Sequence, residues 1–171
     1  MNIAKPVDGD YNPYFKTYID LVEDGDIVAA LETQAGEMRR LLSSISPEKA
    51  AYRYAADKWS VAEVVGHIAD TERVMSYRLL RVARGDRTPL PGFDQDVFVR
   101  NADFGACTPE RLAEDYEAVR GATLSLLKGL QEAALARRGV VSDRETTAAA
   151  LAYVIAGHER HHLNILKDKY L

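Results

Sequence analysis

At 171 residues the chain is long enough for one well-cored domain, and a second independent one is not expected. Hydrophobic residues make up 47% and charged residues 28%, a globular balance that excludes an intrinsically disordered chain. The net charge of −4, from 26 acidic and 22 scattered basic residues, argues against nucleic acid as an obligatory partner, because no Lys/Arg stripe is present to meet phosphates. The single cysteine, Cys107, excludes an intramolecular disulfide and a Cys-rich zinc site. It reads as a small loop or core filler, with a reactive thiol as the alternative. Met1–Asp10 holds a lysine but no apolar secretory core, and no stretch approaches the roughly 20 apolar residues of a membrane span. A cytoplasmic protein with no membrane partner is expected.

In chain order, residues 13–22 read as a short helical piece. Ile27, Val28, Leu31, Met38, Leu41 and Leu42 then recur at helical spacing over 26–44. Ser46-Pro47-Glu48 caps a short turn. Ser60-Val61-Ala62-Glu63 is a capping box, with Ser at the N-cap and Glu reaching back from the third position, and it opens a helix over 60–84. Gly85 is a plausible stop. Residues 85–107 are too long for a bundle turn, and they carry Phe93, Phe98 and Phe104, which prefer burial. So long a connection lets consecutive helices run parallel and supplies a lid across one end of the bundle. Thr108-Pro109-Glu110 starts the next helix, over 108–130, with Gly129 and Gly139 as breaks. Ser142-Asp143-Arg144-Glu145 repeats the capping device before a last helix over 143–170. Sustained strand alternation and hairpin turn pairs are lacking. The reading is all-α, built on four main helices.

The chemistry concentrates in the last helix. The chain has four histidines, and His158, His161 and His162 fall within five residues. Positions i and i+4 differ by about 40° around a helix, so His158 and His162 share a face. That face is the apolar stripe of Leu151, Val154, Ile155, Ile165 and Leu166, so both rings point at whatever the helix packs on. Arg160 points away and His161 falls near the boundary. The fourth histidine, His67, flanks the stripe Val61, Val64, Val65, Ile68, Met75 and Leu79 on the 60–84 helix. Two neutral imidazoles one turn apart bind Zn²⁺, Ni²⁺ or Cu²⁺, and a third from a distant helix completes a site of open coordination. Packing only is the alternative.

Other residues frame that site. Glu72 projects into an apolar stripe and needs a partner. Asp70 and Glu72 are candidates to orient an imidazole N–H, with a solvated surface as the alternative for Asp70. His158-Glu159-x-x-His162 matches the zincin pattern, whose Glu is a general base. Only nine residues follow it, however, and none is His or Glu, so Glu159 reads first as a surface charge. Trp59 is either a staple at the helix entrance or a wall of the site.

Two stretches together carry a family resemblance. Lys58-Trp59-Ser60-Val61-x-Glu63-Val64-x-Gly66-His67-x-x-Asp70-x-Glu72 resembles the second-helix signature of the DinB/YfiT-like superfamily. Gly157-His158-x-x-His161-His162-x-x-Ile165 resembles its C-terminal signature, although Asn164 stands where Gln is common. The resemblance covers essentially the whole chain, including Gly85-Asp86-x-Thr88-Pro89-Leu90. It implies a four-helix bundle of up-down-down-up course, a common dimer, and one metal ion, Zn or Ni, on His67, His158 and His162. It further implies metal-dependent thiol transferases that use bacillithiol, mycothiol or glutathione, with maleylpyruvate isomerases and metal-dependent hydrolases among the relatives.

The functional expectation is therefore a metal-dependent enzyme of the thiol S-transferase or hydrolase type acting on a small molecule. A cation on three histidines lowers the pKa of a bound water or thiol at its open position. Arg53, Arg78, Arg87 and Arg100 are the candidate cationic groups near the mouth for a thiol cosubstrate. The alternative is a non-catalytic, stress-related metal-binding or interaction module, which a fourth ligand from Asp70 or Glu72 would favour.

Overall fold

A computed structural model describes residues 2–171, which are mainly helical. A two-residue strand β1 (Asn2–Ile3) pairs antiparallel with β2 (Gly25–Asp26), and between them lie a 3-10 turn, Pro13–Phe15, and helix α1 (Lys16–Ile19). The chain continues through α2 (Ile27–Ser44), α3 (Pro47–Ala50), α4 (Val61–Ala83), α5 (Gln95–Ala102), α6 (Pro109–Lys128) and α7 (Glu132–Leu135). Strands β3 (Arg138–Val141) and β4 (Arg144–Thr147) precede α8 (Ala148–Ile165), which ends in a π-helical turn, Leu166–Tyr170. No helix among the described residues is long and apolar enough to cross a membrane.

The long helices start where local chemistry satisfies their first N–H groups. Asp26 accepts from the Ala29 amide at 3.0 Å, and Thr108 from Arg111 at 3.3 Å ahead of Pro109. The capping box of α4 is complete: Ser60 Oγ accepts from Glu63 N at 3.2 Å, and Glu63 accepts from Ser60 N at 2.6 Å. At the other end Gly85, at φ +84°, lets the amides of Gly85 and Asp86 reach the Val82 and Arg81 carbonyls, which closes the helix.

Cross-links between helices fix their course. On α2 and α8, Gln34 donates to the Ala156 carbonyl, and Glu37 pairs with Arg160 and Lys167, so the two helices run parallel. On α2 and α6, Glu32 pairs with Lys128 and Arg39 with Glu117, an antiparallel match. α4 and α6 share apolar partners in rising order, from Val61 and Leu112 to Leu79 and Leu127, so they are parallel. α8 opposes α4, since Leu163 lies with Val61 and Leu151 with Leu79. This is the up-down-down-up bundle, and the long second connection makes the parallel step possible.

Two expectations need correction. Residues 142–147 do not open the last helix. Ser142 and Asp143, at φ +48° and +63°, form the tip of a hairpin between β3 and β4, and the cap of α8 is Thr147, which accepts from Ala150 N at 3.1 Å. Ser-x-x-Glu satisfied the capping pattern, but positive φ at two adjacent residues turns the chain back on itself. The second connection also contains helix: Asp94 caps α5 by accepting from the Asp96 and Val97 amides. That connection is tied to the hairpin at Leu90, which exchanges backbone hydrogen bonds with Val140 and Ser142. Of its aromatic residues Phe93 and Phe104 pack on the core, whereas Phe98 remains 40% exposed.

The interior is not one continuous apolar body. One cluster joins α1, the first turns of α2 and α8, the last turns of α4 and α6, and the hairpin. A second joins the end of α2, the start of α4 and α6, and the end of α8. Between them lies a buried polar layer: Gln34, His67, Thr71, Glu72, Arg120, Thr123, His158 and Glu159.

Candidate metal centre

Within that layer α4 and α8, antiparallel and in contact, bring His67 against His158 and His162. The ring centroids form a nearly equilateral triangle with sides of 4.8, 4.8 and 4.6 Å. The ring planes are inclined by 64° to 79°, so edges converge and faces do not stack. His67 Nε2 lies 3.0 Å from His158 Nε2, and one nitrogen from each of the three rings falls within 4.8 Å of the others. Two nitrogens on one tetrahedral Zn²⁺ stand about 3.3 Å apart, so the donor set fits a single cation. Among the described residues this cluster includes no Cys, Asp or Glu. Three protein donors leave room for an exogenous one.

Burial prepares the nitrogens for this use. Desolvation, aided by His161, holds His67 down at about 4 and His162 at about 3. It holds His158 well below its usual range, with His162 and His67 adding to the effect. All three rings are therefore neutral at pH 7, the form whose lone pair binds a metal. The other nitrogen of His67, Nδ1, lies 3.4 Å from Thr71 Oγ1, one turn along α4. Thr71 is thus the side chain that orients this ring. Asp70 and Glu72 do not: Asp70 pairs with Arg73 at 3.2 Å, and Glu72 with Arg120 at 2.7 Å.

Glu159 is not the surface charge expected. It is 1% exposed and receives hydrogen bonds from Tyr116 Oη at 2.9 Å and from Arg120. Arg120 also donates to both Glu72 oxygens and to the Leu31 carbonyl at 2.9 Å, so one guanidinium on α6 binds α2, α4 and α8 together. Burial opposes the charge on Arg120, but Glu159 and Glu72 outweigh it and raise its pKa. Burial raises the Glu159 carboxyl, with Glu72 adding to that push and Arg120 countering it. Committed to this network, Glu159 does not serve as the base of a zincin, and its position about 100° around the helix from His158 shows why. Arg120 and Tyr116 carried no sequence expectation. The available signal was Arg120 inside the stripe Leu112, Tyr116, Val119, Thr123 and Leu127, a charge where the helix is otherwise buried.

Two cavities, each of about 260 Å³, adjoin the triad. The first is lined by His158, Thr71, Tyr18, Met75, Arg78 and Phe93, among others. The second is lined by His162, Trp59, Tyr54, Lys58 and Tyr170, among others. Trp59 sits just before the cap of α4, packs on His67 at 4.8 Å between centroids and lines the second cavity. Glycines beside the histidines let the walls close in. A Cβ on Gly157 would overlap the Tyr18 backbone, and one on Gly66 would overlap the Phe104 ring. Of the four arginines considered, Arg53 pairs with Glu63 and Arg87 with Glu145, both exposed, while Arg100 is exposed on another depression. Of these four, only Arg78 is buried, on the wall of the cavity that His158 also lines.

Comparisons with known proteins show the family and the fold. The family model described as the DinB superfamily matches residues 30–166. A protein of Oceanobacillus iheyensis named as a "putative metal-dependent hydrolase" is 28% identical over 139 residues, covering 80% of this chain and 79% of that protein. The structure of YfiT from Bacillus subtilis, described as "a probable metal-dependent hydrolase with an unusual four-helix bundle topology", matches with a TM-score of 0.69 at 18% identity. It covers 96% of this chain and 92% of that one, and it supports the fold. With most of its length matched by the family model, the chain belongs to the DinB superfamily.

Proposed function

We propose that the chain is a metal-dependent enzyme that holds one divalent cation, zinc or nickel, on His67, His158 and His162 and transforms a small molecule in the adjoining cavity. The observation that carries this reading is the convergence of three neutral imidazoles, two buried and that of His162 half-buried, without a carboxylate or thiolate to close the set. A cation there supplies Lewis-acid polarisation and brings the pKa of a water or thiol toward neutrality. The protein's own part is to orient and exclude. Thr71 holds the His67 ring, Tyr18 packs edge-on against His158, and Phe93 walls the same cavity farther along.

Thiol transfer is the preferred reaction. No Asp or Glu lines the cavity beside His158, whereas Asp57 and Asp96 line the one beside His162, so the preference holds for a reaction in the first cavity. Hydrolysis gains from a positioned general base, whereas a coordinated thiol is already deprotonated and needs none. In net terms, a carbon–sulfur bond would form as the bond from that carbon to the leaving group breaks, and the proton the thiol gives up to solvent on binding the cation would be balanced by the one the departing group takes from solvent. The names of the two relatives favour water as the attacking group, which makes hydrolysis the second reading.

The test begins with elemental analysis of untagged protein. About one equivalent of metal is expected, and His67→Ala should lose it. Metal-loaded protein is then offered glutathione, bacillithiol or mycothiol with a model electrophile, and separately a panel of esters and amides. Absence of stoichiometric metal overturns the centre. Turnover of esters without thiol consumption selects hydrolysis.

A further inference from the structure

The cavity beside His158 contains a charge that the proposed metal chemistry does not use. Arg78 is 3% exposed, yet among the described residues its charge has no carboxylate partner. Its Nη2 donates to the Pro91 carbonyl at 2.5 Å, its Nη1 approaches Met75 Sδ at 3.5 Å, and its guanidinium lies 5.6 Å from the centre of the Phe93 ring. Compare Arg120, also buried but matched by two glutamates. Desolvating a guanidinium with only neutral partners is unfavourable, and burial lowers the pKa of Arg78 accordingly. Set in the wall of a cavity, such a guanidinium is placed to take an anionic ligand.

The placement says where that ligand lies. His67, Thr71, Met75 and Arg78 follow one another along one face of α4, and the contact with Met75 shows the guanidinium folded back toward the triad. Met75 stands eight residues from His67, which is on the order of 12 Å along the helix. Both Arg78 and His158 line the same cavity, and Phe15, Met75, Phe93 and Val154 contribute apolar walls to it. The planar fork of a guanidinium matches a carboxylate, and a single cation suits one negative charge better than two.

We propose that Arg78 is the anion-recognition residue of this cavity and that the substrate is an organic carboxylate with an apolar body joining its carboxylate to the reacting end at the histidines. This rests on the metal-enzyme reading only for the identity of the reacting end. The carboxylate subsite itself stands on Arg78 and the cavity walls.

The test uses the full-length protein stripped with chelator, so that no metal can attract the anion, and two probes of one shape, phenylacetate and phenylacetamide. Titration followed by amide and arginine side-chain NMR shifts should give at least tenfold tighter binding of phenylacetate, with the largest shifts at Arg78 Nε and the Phe93 amide. Arg78→Gln should erase that preference, and Arg78→Lys should keep part of it. Equal affinity for the two probes, no binding of either, or a preference that survives Arg78→Gln overturns the proposal. The wild-type comparison decides the matter even if the glutamine variant does not fold. Metal content of the unstripped protein is measured alongside: a carboxylate preference without stoichiometric metal keeps the subsite and discards the centre, and the reverse result does the opposite.

Discussion

His158 and Glu159 are chain neighbours, yet they belong to two buried polar groups built on opposite principles. The glutamate joins a closed network in which Tyr116 and Arg120 satisfy its oxygens and Arg120 also binds Glu72. The histidine joins a set whose members are neutral, face one another edge to edge, and border two cavities. One group fulfils its hydrogen bonds within the protein and holds the helices in register. The other gathers one ring nitrogen from each of three histidines within 4.8 Å of one another, a spacing that suits a shared cation. Burial alone therefore does not distinguish structure from chemistry; whether the buried groups are matched does.

The sharpest way to break this contrast is at Arg120. Arg120→Met should destabilise the fold by about 3–5 kcal/mol, because two buried carboxylates lose their counter-charge. Adding Glu72→Gln and Glu159→Gln should recover most of the loss. Denaturant titration measures both, and a single-variant loss under about 1 kcal/mol would remove Arg120 from its structural role.

The histidines should respond to pH instead. In metal-free protein their folded-state values, about 4 for His67 and about 3 for His162, lie below the unfolded value near 6.5. The unfolded chain then binds more protons over that interval, so stability should fall by a few kcal/mol as pH drops from 6.5 to 4.5. Glu159, whose folded value is raised, works in the other direction and partly offsets this. Unfolding midpoints across that range, with chelator, should show a slope that His67→Gln combined with His162→Gln flattens. An unchanged slope in that variant would assign it elsewhere.

Gly157→Ala sharpens the comparison from the cavity side. The added methyl meets the Tyr18 backbone, which cannot rotate away, so a cost of about 1–3 kcal/mol is expected. Gly66→Ala meets only the Phe104 ring and should cost less. Equal costs would show that α1 yields as easily as a side chain. The smallest effect is expected at Thr71→Val, which removes the hydroxyl beside His67 Nδ1 while keeping the shape. Metal affinity should weaken by about tenfold with folding stability nearly unchanged. Competition with a chromogenic chelator reads this directly, and an unaltered affinity would free Thr71 of its orienting role.

What the residues declared in advance was local or periodic. Caps at Ser60 and Thr108, the helix end at Gly85 and the shared face of His158 and His162 depend on atoms within one or two turns, so short-range sterics and hydrogen bonding already specify them. The assembly of His67 with the other two was an expectation from the histidine pattern and from family resemblance together. It became geometry only through the antiparallel contact of α4 with α8.

Other features were settled by partners far along the chain. Ser142-Asp143-Arg144-Glu145 could open a helix or turn a hairpin, and pairing across β3 and β4 with the tie to Leu90 chose the hairpin. Glu159 could face water or protein, and Arg120, 39 residues away, decided for burial. Arg78 could have been another surface cation until Pro91 and Phe93 folded over it. The physical reason is common to all three. A charge or a turn has competing environments of similar free energy, and only long-range packing, which determines what is desolvated and beside which partner, separates them.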